Sequence, residues 1–300
     1  MAKKKQSNWF FKLIFLIGFL ILMYPQVSRL YYRVQATQEV AAFEEGKAEL
    51  TDAEIKKRMA LARDFNDSLV NQVTSDPYVE AKHEQGRAAY ARMLEIHEQI
   101  GHIQIPTIDL DIPIRAGTTE EVLQTSAGHL EGTSLPIGGN STHAVITAHS
   151  GLPEAKLFTD IRELQKGDRF YIPNIAETLA YEADQIQVVL PSNFDDLLIV
   201  PGHDYATLLT CTPIGINTHR LLVRGHRVPY DKAVDDQFVL DNKKDLLYKY
   251  AFIMVVLLIL LLIYGSWRYQ KRLKQLEADI RAFEKVMGKD DEKGAEDGED

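Results

Sequence analysis

Short apolar runs separated by turn-forming residues dominate the chain from Gly101 to about residue 230. Each run has the length of a β-strand, and several alternate apolar and polar positions, as expected for a strand with one buried face. The runs are HIQIPTI, LDIPI, HAVITAH, DRFYIP, TLAYEADQIQVVL, YATLLTC and HRLLVRGHRV. Brief helical stretches are predicted at Thr119–Gln124 and Ala155–Ile161. The spacing of the runs predicts a mainly β domain of seven or eight strands, folded as a single barrel or sandwich.

The segment that precedes this domain has helical periodicity instead. Apolar residues recur at helical spacing within 36–70, which predicts a helix there. Thr51 and Glu54 have the spacing of a capping box, a signal of a helix start. Residues 71–80 interrupt the pattern, and a second helix is predicted over about 80–97. We therefore expect a helical region before the β domain.

Two strongly apolar segments suggest transmembrane helices: Tyr250–Trp267 has the length of a span, and Trp9–Tyr24 is slightly short. Lysines precede the first segment and a cluster of Arg and Lys follows the second, which predicts that both termini are cytoplasmic. A cleaved signal peptide is the alternative for the first segment, but no small-residue cleavage site follows it. We expect an uncleaved cell-membrane protein with two spans in contact with lipid, and with residues 25–249 outside the cytoplasm.

Charge and cysteine usage narrow the possible function classes. Acidic residues outnumber basic ones by 43 to 34, for a net charge of -9, and an acidic protein is a poor partner for nucleic acid. Residues 289–300 form an acidic, low-complexity tail typical of disorder. A single cysteine excludes an intramolecular disulfide framework and a CxxC metal site. No phosphate-binding glycine loop, zinc-protease motif or calcium-binding loop occurs, so we expect neither a cofactor nor a metal.

That one cysteine, Cys211, lies where a predicted strand ends and a turn-rich loop begins. A nucleophilic thiol needs a nearby base and a group that stabilises an oxyanion. His149 also ends an apolar run, so the two side chains would converge if their strands are neighbours. Arg220 begins the run after the cysteine loop and could supply the positive charge. A buried, inert thiol and a surface arginine are the alternative, and the residues by themselves leave it open.

The sequence around Cys211 resembles a known family. TLLTCTPIGINTHRLLVRG is similar to the TLxTC…R signature of sortases, and GHLEGTSLPIGGNSTH, THAVITAHSGLPEAKLFTDI and IVPGHDYATLLTC resemble the class C, pilus-assembly branch. The resemblance covers about residues 75–230. It implies an eight-stranded β-barrel with His149, Cys211 and Arg220 as the catalytic residues. Ser150 departs from the pattern, since many relatives have a larger, often basic residue there, and we expect it to alter the rim of the cleft only.

The resemblance also implies a lid over the cleft. Class C members often carry an Asp-Pro-aromatic motif, which matches Asp76, Pro77 and Tyr78 here. Asp76 would pair with Arg220 while the ring of Tyr78 covers Cys211, which would exclude water and substrate. An ordinary turn between two helices is the alternative.

The activity implied by the resemblance is a two-step transpeptidation. The thiolate would attack an LPxTG-like sorting signal and form a thioester, which a lysine amine of an incoming pilin would then resolve. The implied partners are pilin subunits, the lysine amine and membrane lipid. The alternatives are a housekeeping sortase that anchors proteins to the cell wall, a cysteine hydrolase, and a non-enzymatic membrane ectodomain.

These features divide the chain into eight segments. We expect a cytoplasmic N-terminus (1–8), a first span (9–24), an extracellular helical segment (25–70), a lid (71–80), a barrel domain with a leading helix (81–230), a linker (231–249), a second span (250–267) and a cytoplasmic tail (268–300).

Overall fold

Eight β-strands close into a barrel within the part of the chain that the structure describes. The computed structural model describes residues 9–69 and 89–232, together with positions 254, 257, 258, 261, 262 and 264–281. The strands are β1 Gln99–Ile105, β2 Leu110–Ala116, β3 Ala127–His129, β4 Thr142–Thr147, β5 Arg169–Pro173, β6 Thr178–Val189, β7 Asp204–Thr212 and β8 His219–Val228. The predicted mainly β class and the eight-stranded barrel are both confirmed.

The strand order around the barrel is β1-β2-β3-β4-β7-β8-β6-β5. The β2–β3 and β4–β7 pairs are parallel, and the other pairs are antiparallel. Parallel pairing aligns the carboxyl ends of two strands at one edge of the sheet. The β4–β7 pair therefore places two loops that are distant in sequence side by side.

The two faces of β7 belong to different apolar clusters. Successive side chains of a strand point to opposite faces. Leu208 belongs to the main core, whereas Leu209 packs in a smaller cluster with Val189 of β6 and Leu222 of β8. Leu197, from the segment that connects β6 to β7, joins this smaller cluster. Cys211 lies two residues beyond Leu209 and so faces the same side.

Two helices precede the barrel where one was predicted over residues 36–70. Helix α1 spans Trp9–Ala48 and helix α2 spans Asp52–Ser68. The predicted capping box is confirmed: the Thr51 hydroxyl accepts a hydrogen bond from the Glu54 amide, and the Glu54 carboxylate accepts one from the Thr51 amide. Since a capping box starts a helix, it separates α2 from α1.

The helix predicted over about residues 80–97 ends earlier than predicted in its described part. Residues 70–88 lie outside the described ranges, and a 3₁₀ helix spans Ala89–Leu94. Ile96 already forms an antiparallel bridge with Gln99, which ends the helical stretch. The two brief helices are found close to their predicted places, as helix α3 Glu120–Leu123 and a 3₁₀ helix Leu157–Glu163.

Helix α1 is fixed to the barrel by apolar and polar contacts. Phe43 is fully buried in the main core. The Glu39 carboxylate lies 2.8 Å from an Arg115 guanidinium nitrogen, and Arg33 pairs with Asp109. The Glu44 carboxylate lies 3.3 Å from Nε2 of His102 on β1. The C-terminal half of α1 is thus part of the barrel domain.

The chain divides into two compact units, Met1–Val239 and Leu240–Asp300. In the second unit, residues 264–281 are helical. Within the ranges that the structure describes, no helix combines the length and the apolar character required to span a bilayer. The two predicted transmembrane helices are therefore not supported. The predicted lid residues Asp76, Pro77 and Tyr78 lie outside the described residues.

Candidate active site

Cys211 and Arg220 lie directly opposite each other on neighbouring antiparallel strands. The register of β7 and β8 pairs Cys211 with Arg220. Side chains of directly opposed residues project on the same face, with Cβ atoms about 4.5–5.5 Å apart. Arg220 is in turn paired with Val189 on β6. A thiol and a guanidinium therefore stand side by side in one cross-strand row.

His149 extends this row on the other side of Cys211. The parallel register of β4 and β7 pairs Thr147 with Leu209 at the last position of the ladder. Two residues further along each chain come Cys211, which is still on β7, and His149, which lies just beyond the end of β4. The Thr210 hydroxyl donates to the Ala148 carbonyl at 2.7 Å and keeps the two chains together past the end of β4. The two strands are thus neighbours in the backbone register, and the approach of the imidazole to the thiol stays a prediction.

Two further contacts hold the loop after His149 against the cysteine loop. The Ser150 hydroxyl donates to the Cys211 carbonyl at 2.6 Å. Gly151 has a φ of 76°, which favours glycine, and a Cβ placed there would overlap Cγ2 of Ile214. Close approach of the two loops therefore depends on a small hydroxyl and a missing side chain. Ser150, which we expected to alter only the rim, is a link between the two strand ends.

The Arg220 side chain is buried and oriented by its own loop. It is 8% exposed, and its Nη1 donates to the carbonyls of Asn217 and His219, each at 3.0 Å. Cys211 is 7% exposed. A guanidinium held by backbone carbonyls is a fixed positive charge with directed N–H donors, which is the requirement for stabilising an oxyanion.

Glu120, which the sequence reasoning missed, contacts the His149 ring. Its Oε2 atom lies 3.3 Å from Nε2 of His149. The side chain of His149 is 18% exposed and that of Glu120 is 66% exposed. The sequence carries no signal for this pair, because the two residues are 29 positions apart and Glu120 lies on a surface helix.

Three other histidines are buried in hydrogen-bonded positions within the fold. Burial lowers the pKa of His129 to about 4, and its Nδ1 lies 2.8 Å from the Tyr90 hydroxyl. Burial likewise lowers the pKa of His143 to about 4, where Nε2 meets the Thr207 hydroxyl at 2.7 Å. Burial opposes protonation of His102, but hydrogen bonds to Asp111 and Glu44 raise its pKa above the usual value. Each of the three is accounted for by local structure.

Over the described residues, no cluster of three or more His, Cys, Asp or Glu side chains is arranged to hold a metal ion. The chemistry available at the row is that of a thiol, an imidazole and a guanidinium. These are the groups of a nucleophile, a proton donor and acceptor, and an oxyanion-stabilising residue.

The sortase domain family matches residues 103–228, which include all three residues of the row. Among curated proteins, sortase A of Bacillus anthracis is 28% identical over 135 residues, which cover 45% of this chain and 62% of that protein. The chain thus spans less than two thirds of the length of this relative.

Solved structures are more similar. Sortase C-1 from Streptococcus pneumoniae is 66% identical with a TM-score of 0.63, and the match covers 65% of this chain and 100% of that one. A pilus-related sortase C of Group B Streptococcus is 62% identical with a TM-score of 0.62, covering 64% of this chain and 98% of that one. With this identity over essentially the whole of those domains, the chain belongs to the sortase family, in its class C branch.

Proposed function

We propose that this chain is a cysteine transpeptidase that cleaves an LPxTG-like sorting signal and joins pilin subunits through a lysine amine. The observation that carries the proposal is the pairing of Cys211 with Arg220 on β7 and β8, next to β4, which ends two residues before His149. A thiol, an imidazole and a guanidinium can supply the nucleophile, the proton donor and acceptor, and the oxyanion-stabilising group that an acyl transfer requires. The similarity to a pilus-related sortase C of Group B Streptococcus supports the choice of substrate.

In the first step, the Cys211 thiolate attacks the threonine carbonyl carbon of the sorting signal. Negative charge develops on the carbonyl oxygen, and the N–H donors of Arg220 stabilise it. The carbon–nitrogen bond to glycine then breaks, and the imidazolium of His149 gives its proton to the leaving amine. The products are a thioester on Cys211, a free glycine amine and a neutral His149.

In the second step, a lysine amine of another pilin attacks the thioester carbonyl. His149 takes a proton from the attacking amine, and the Cys211 sulfur leaves as a thiolate. An isopeptide bond forms, and both residues return to their starting protonation states. The two-step route replaces one difficult exchange of amines with two easier ones.

The surroundings of the row suit a partly apolar peptide. Ile214 and Ile216, in the loop after Cys211, are exposed apolar residues, and Ile214 lies against Gly151 in the loop after His149. Exposed apolar side chains next to reactive groups are typical of a binding groove. A Leu-Pro segment could cover these residues while its threonine carbonyl reaches Cys211.

The lid remains part of the proposal on the strength of the family resemblance. Asp76 would pair with Arg220, and Tyr78 would cover Cys211 until a substrate displaces them.

Membrane attachment also remains a proposal. Ile14, Ile17 and Ile21 of α1 are exposed apolar residues, which suits a lipid environment. An anchored enzyme would share a surface with anchored pilins.

The experiment is a competition between acceptors. The purified full-length chain receives an LPxTG peptide together with a lysine-containing pilin peptide and triglycine, and the products are identified by mass spectrometry. We expect an isopeptide-linked conjugate with the lysine peptide, and none with a Cys211→Ala variant as the matched control. A triglycine conjugate would instead indicate cell-wall anchoring, and free acid alone would indicate a hydrolase. Absence of any cleavage would contradict a catalytic role.

A further inference from the structure

We propose that Glu120 is a positioning residue that fixes the orientation and the tautomer of the His149 ring. This inference rests on the proposed function, because it concerns the same proton-transferring imidazole. Glu120 would join Cys211, Arg220 and His149 as a fourth residue of the site, and it is contributed by helix α3 and not by a strand.

The carboxylate is brought to the ring by the short helix α3. Leu123 of this helix is 1% exposed and anchors it to the barrel. The Gln124 amide donates a hydrogen bond to Oε1 of Glu120, while Oε2 lies 3.3 Å from Nε2 of His149. One oxygen of the carboxylate is thus held by the residue that follows its own helix, and the other is directed to the imidazole.

The backbone of His149 is held separately from its ring. The His149 carbonyl accepts a hydrogen bond from the Phe158 amide at 3.0 Å. This contact places the main chain, and it does not by itself set the side-chain torsions that orient the imidazole. A carboxylate on one ring nitrogen restricts that rotation, as carboxylate partners do for other functional histidines.

The contact also decides which nitrogen exchanges the proton. A carboxylate accepts a hydrogen bond from Nε2–H, so the neutral ring carries its hydrogen on Nε2 and its lone pair on Nδ1. The charged ring then gives the Nδ1 proton to the glycine amine in the first step. In the second step, Nδ1 takes a proton from the lysine amine. Glu120 neither gains nor loses a proton in either step.

The expected effect is modest because Glu120 is largely exposed. An exposed ion pair contributes about 0.2–1 kcal/mol, which corresponds to about a 1.5- to fivefold change in rate. Loss of Glu120 should lower kcat by that factor and leave KM unchanged, because the residue acts on the ring and not on the peptide.

The test compares Glu120→Ala and Glu120→Gln with Glu121→Ala in the full chain. Glu121 is the neighbouring exposed glutamate of α3, so its variant matches the change in charge. Kinetics of thioester formation give kcat and KM. Nitrogen-15 NMR of labelled histidine reports the tautomer of His149, whose signals are assigned by their loss in His149→Gln.

We expect Glu120→Ala to lower kcat and to reduce the Nε2–H tautomer, Glu120→Gln to recover part of both, and Glu121→Ala to behave as the parent. The proposal would be overturned if Glu120→Ala had the same kcat and the same tautomer population as the parent. It would also be overturned if Glu121→Ala lost as much kcat as Glu120→Ala. If the parent forms no thioester, the proposed function fails, whereas the NMR signal still tests the contact between Glu120 and His149.

Discussion

At the scale of single residues, the site depends on how closely two loops approach. Gly151 follows His149 by two positions and lies against Ile214, three positions after Cys211. A side chain at position 151 would be strained at its φ of 76° and would push Ile214 away. The separation of the imidazole from the thiol is therefore sensitive to this glycine.

We predict that Gly151→Ala lowers kcat/KM at least about tenfold, because displacement of catalytic groups by an ångström can cost about a hundredfold. Gly167→Ala is the matched control, since Gly167 also has a positive φ of 96° but has open space around its Cβ position. Both variants should lose stability in thermal melts because both positions have a positive φ, with a larger loss for Gly151→Ala because of the overlap with Ile214, and only Gly151→Ala should lose activity. Equal activity of the two variants would show that the loop contact is unimportant.

Sequence reasoning reached Cys211, Arg220 and His149 because each lies at the end or start of an apolar run. The register pairs Cys211 with Arg220 and places the end of β4 beside β7, whereas the position of the His149 ring and the catalytic roles stay predictions. Glu120 could not be found in this way. Its contact with His149 depends on the position of α3 relative to β4, and the pattern of apolar residues along the sequence does not predict how these two elements pack.

At the scale of elements, the attachment of α1 to the barrel contains a titratable link. His102 on β1 is 3% exposed at its side chain and lies between Asp111 of β2, at 2.7 Å, and Glu44 of α1, at 3.3 Å. Lys47 of α1 lies 3.5 Å from the same Glu44 carboxylate. Burial disfavours the charged ring, but the two carboxylates outweigh it and raise the pKa of His102.

This raised pKa makes the contribution of His102 depend on pH. In the unfolded chain a histidine titrates near 6.5, so the stabilisation is complete below that pH and is lost as the pH rises through the higher folded value. We predict that the free energy of unfolding falls between pH 6.5 and pH 9, and that Glu44→Gln reduces this fall. Chemical denaturation at pH 6.5 and at pH 9 measures the free energy of unfolding of both proteins. A slope that is the same in the parent and in Glu44→Gln would contradict the prediction.

At acidic pH, the free energy of unfolding depends on two other buried histidines. His129 and His143 have pKa values lowered to about 4 by burial, so they remove stability only as the pH falls from about 6.5 toward 4. Their effect does not overlap with the alkaline window used for His102.

Elements were predictable where a local pattern marks them. Seven strands follow from apolar runs, and the start of α2 follows from the Thr51 capping box. Strand β3 has only three residues, Ala127–His129, which is too short for an alternating pattern. Residues 36–70 were nevertheless predicted as one helix, because helical periodicity continues past the capping box that separates α2 from α1.

At the scale of the whole molecule, barrel closure is what assembles the site. The pairing of β4 with β7 is parallel and joins residues more than sixty positions apart. Such a pairing depends on the crossover between the strands, and the sequence pattern of either strand does not specify it. The fold class was therefore predictable from the residues, whereas the eight-stranded barrel came from the family resemblance.

The central claim is that Cys211, Arg220 and His149 act as one unit on a shared acyl group. The most direct measurement is the rate at which a mass increase equal to the acyl part of an LPxTG peptide appears on the intact full-length chain. We predict acylation of the parent, none of Cys211→Ala, and a loss of about 10²-fold or more in Arg220→Gln, as for removal of an oxyanion donor. The acylation rate of the double variant Arg220→Gln, His149→Ala should fall by a smaller factor than the two single-variant factors multiplied together, because the effects of residues that act together are not additive. Acylation at the parent rate in either single variant, or an adduct that persists in Cys211→Ala, would contradict the account.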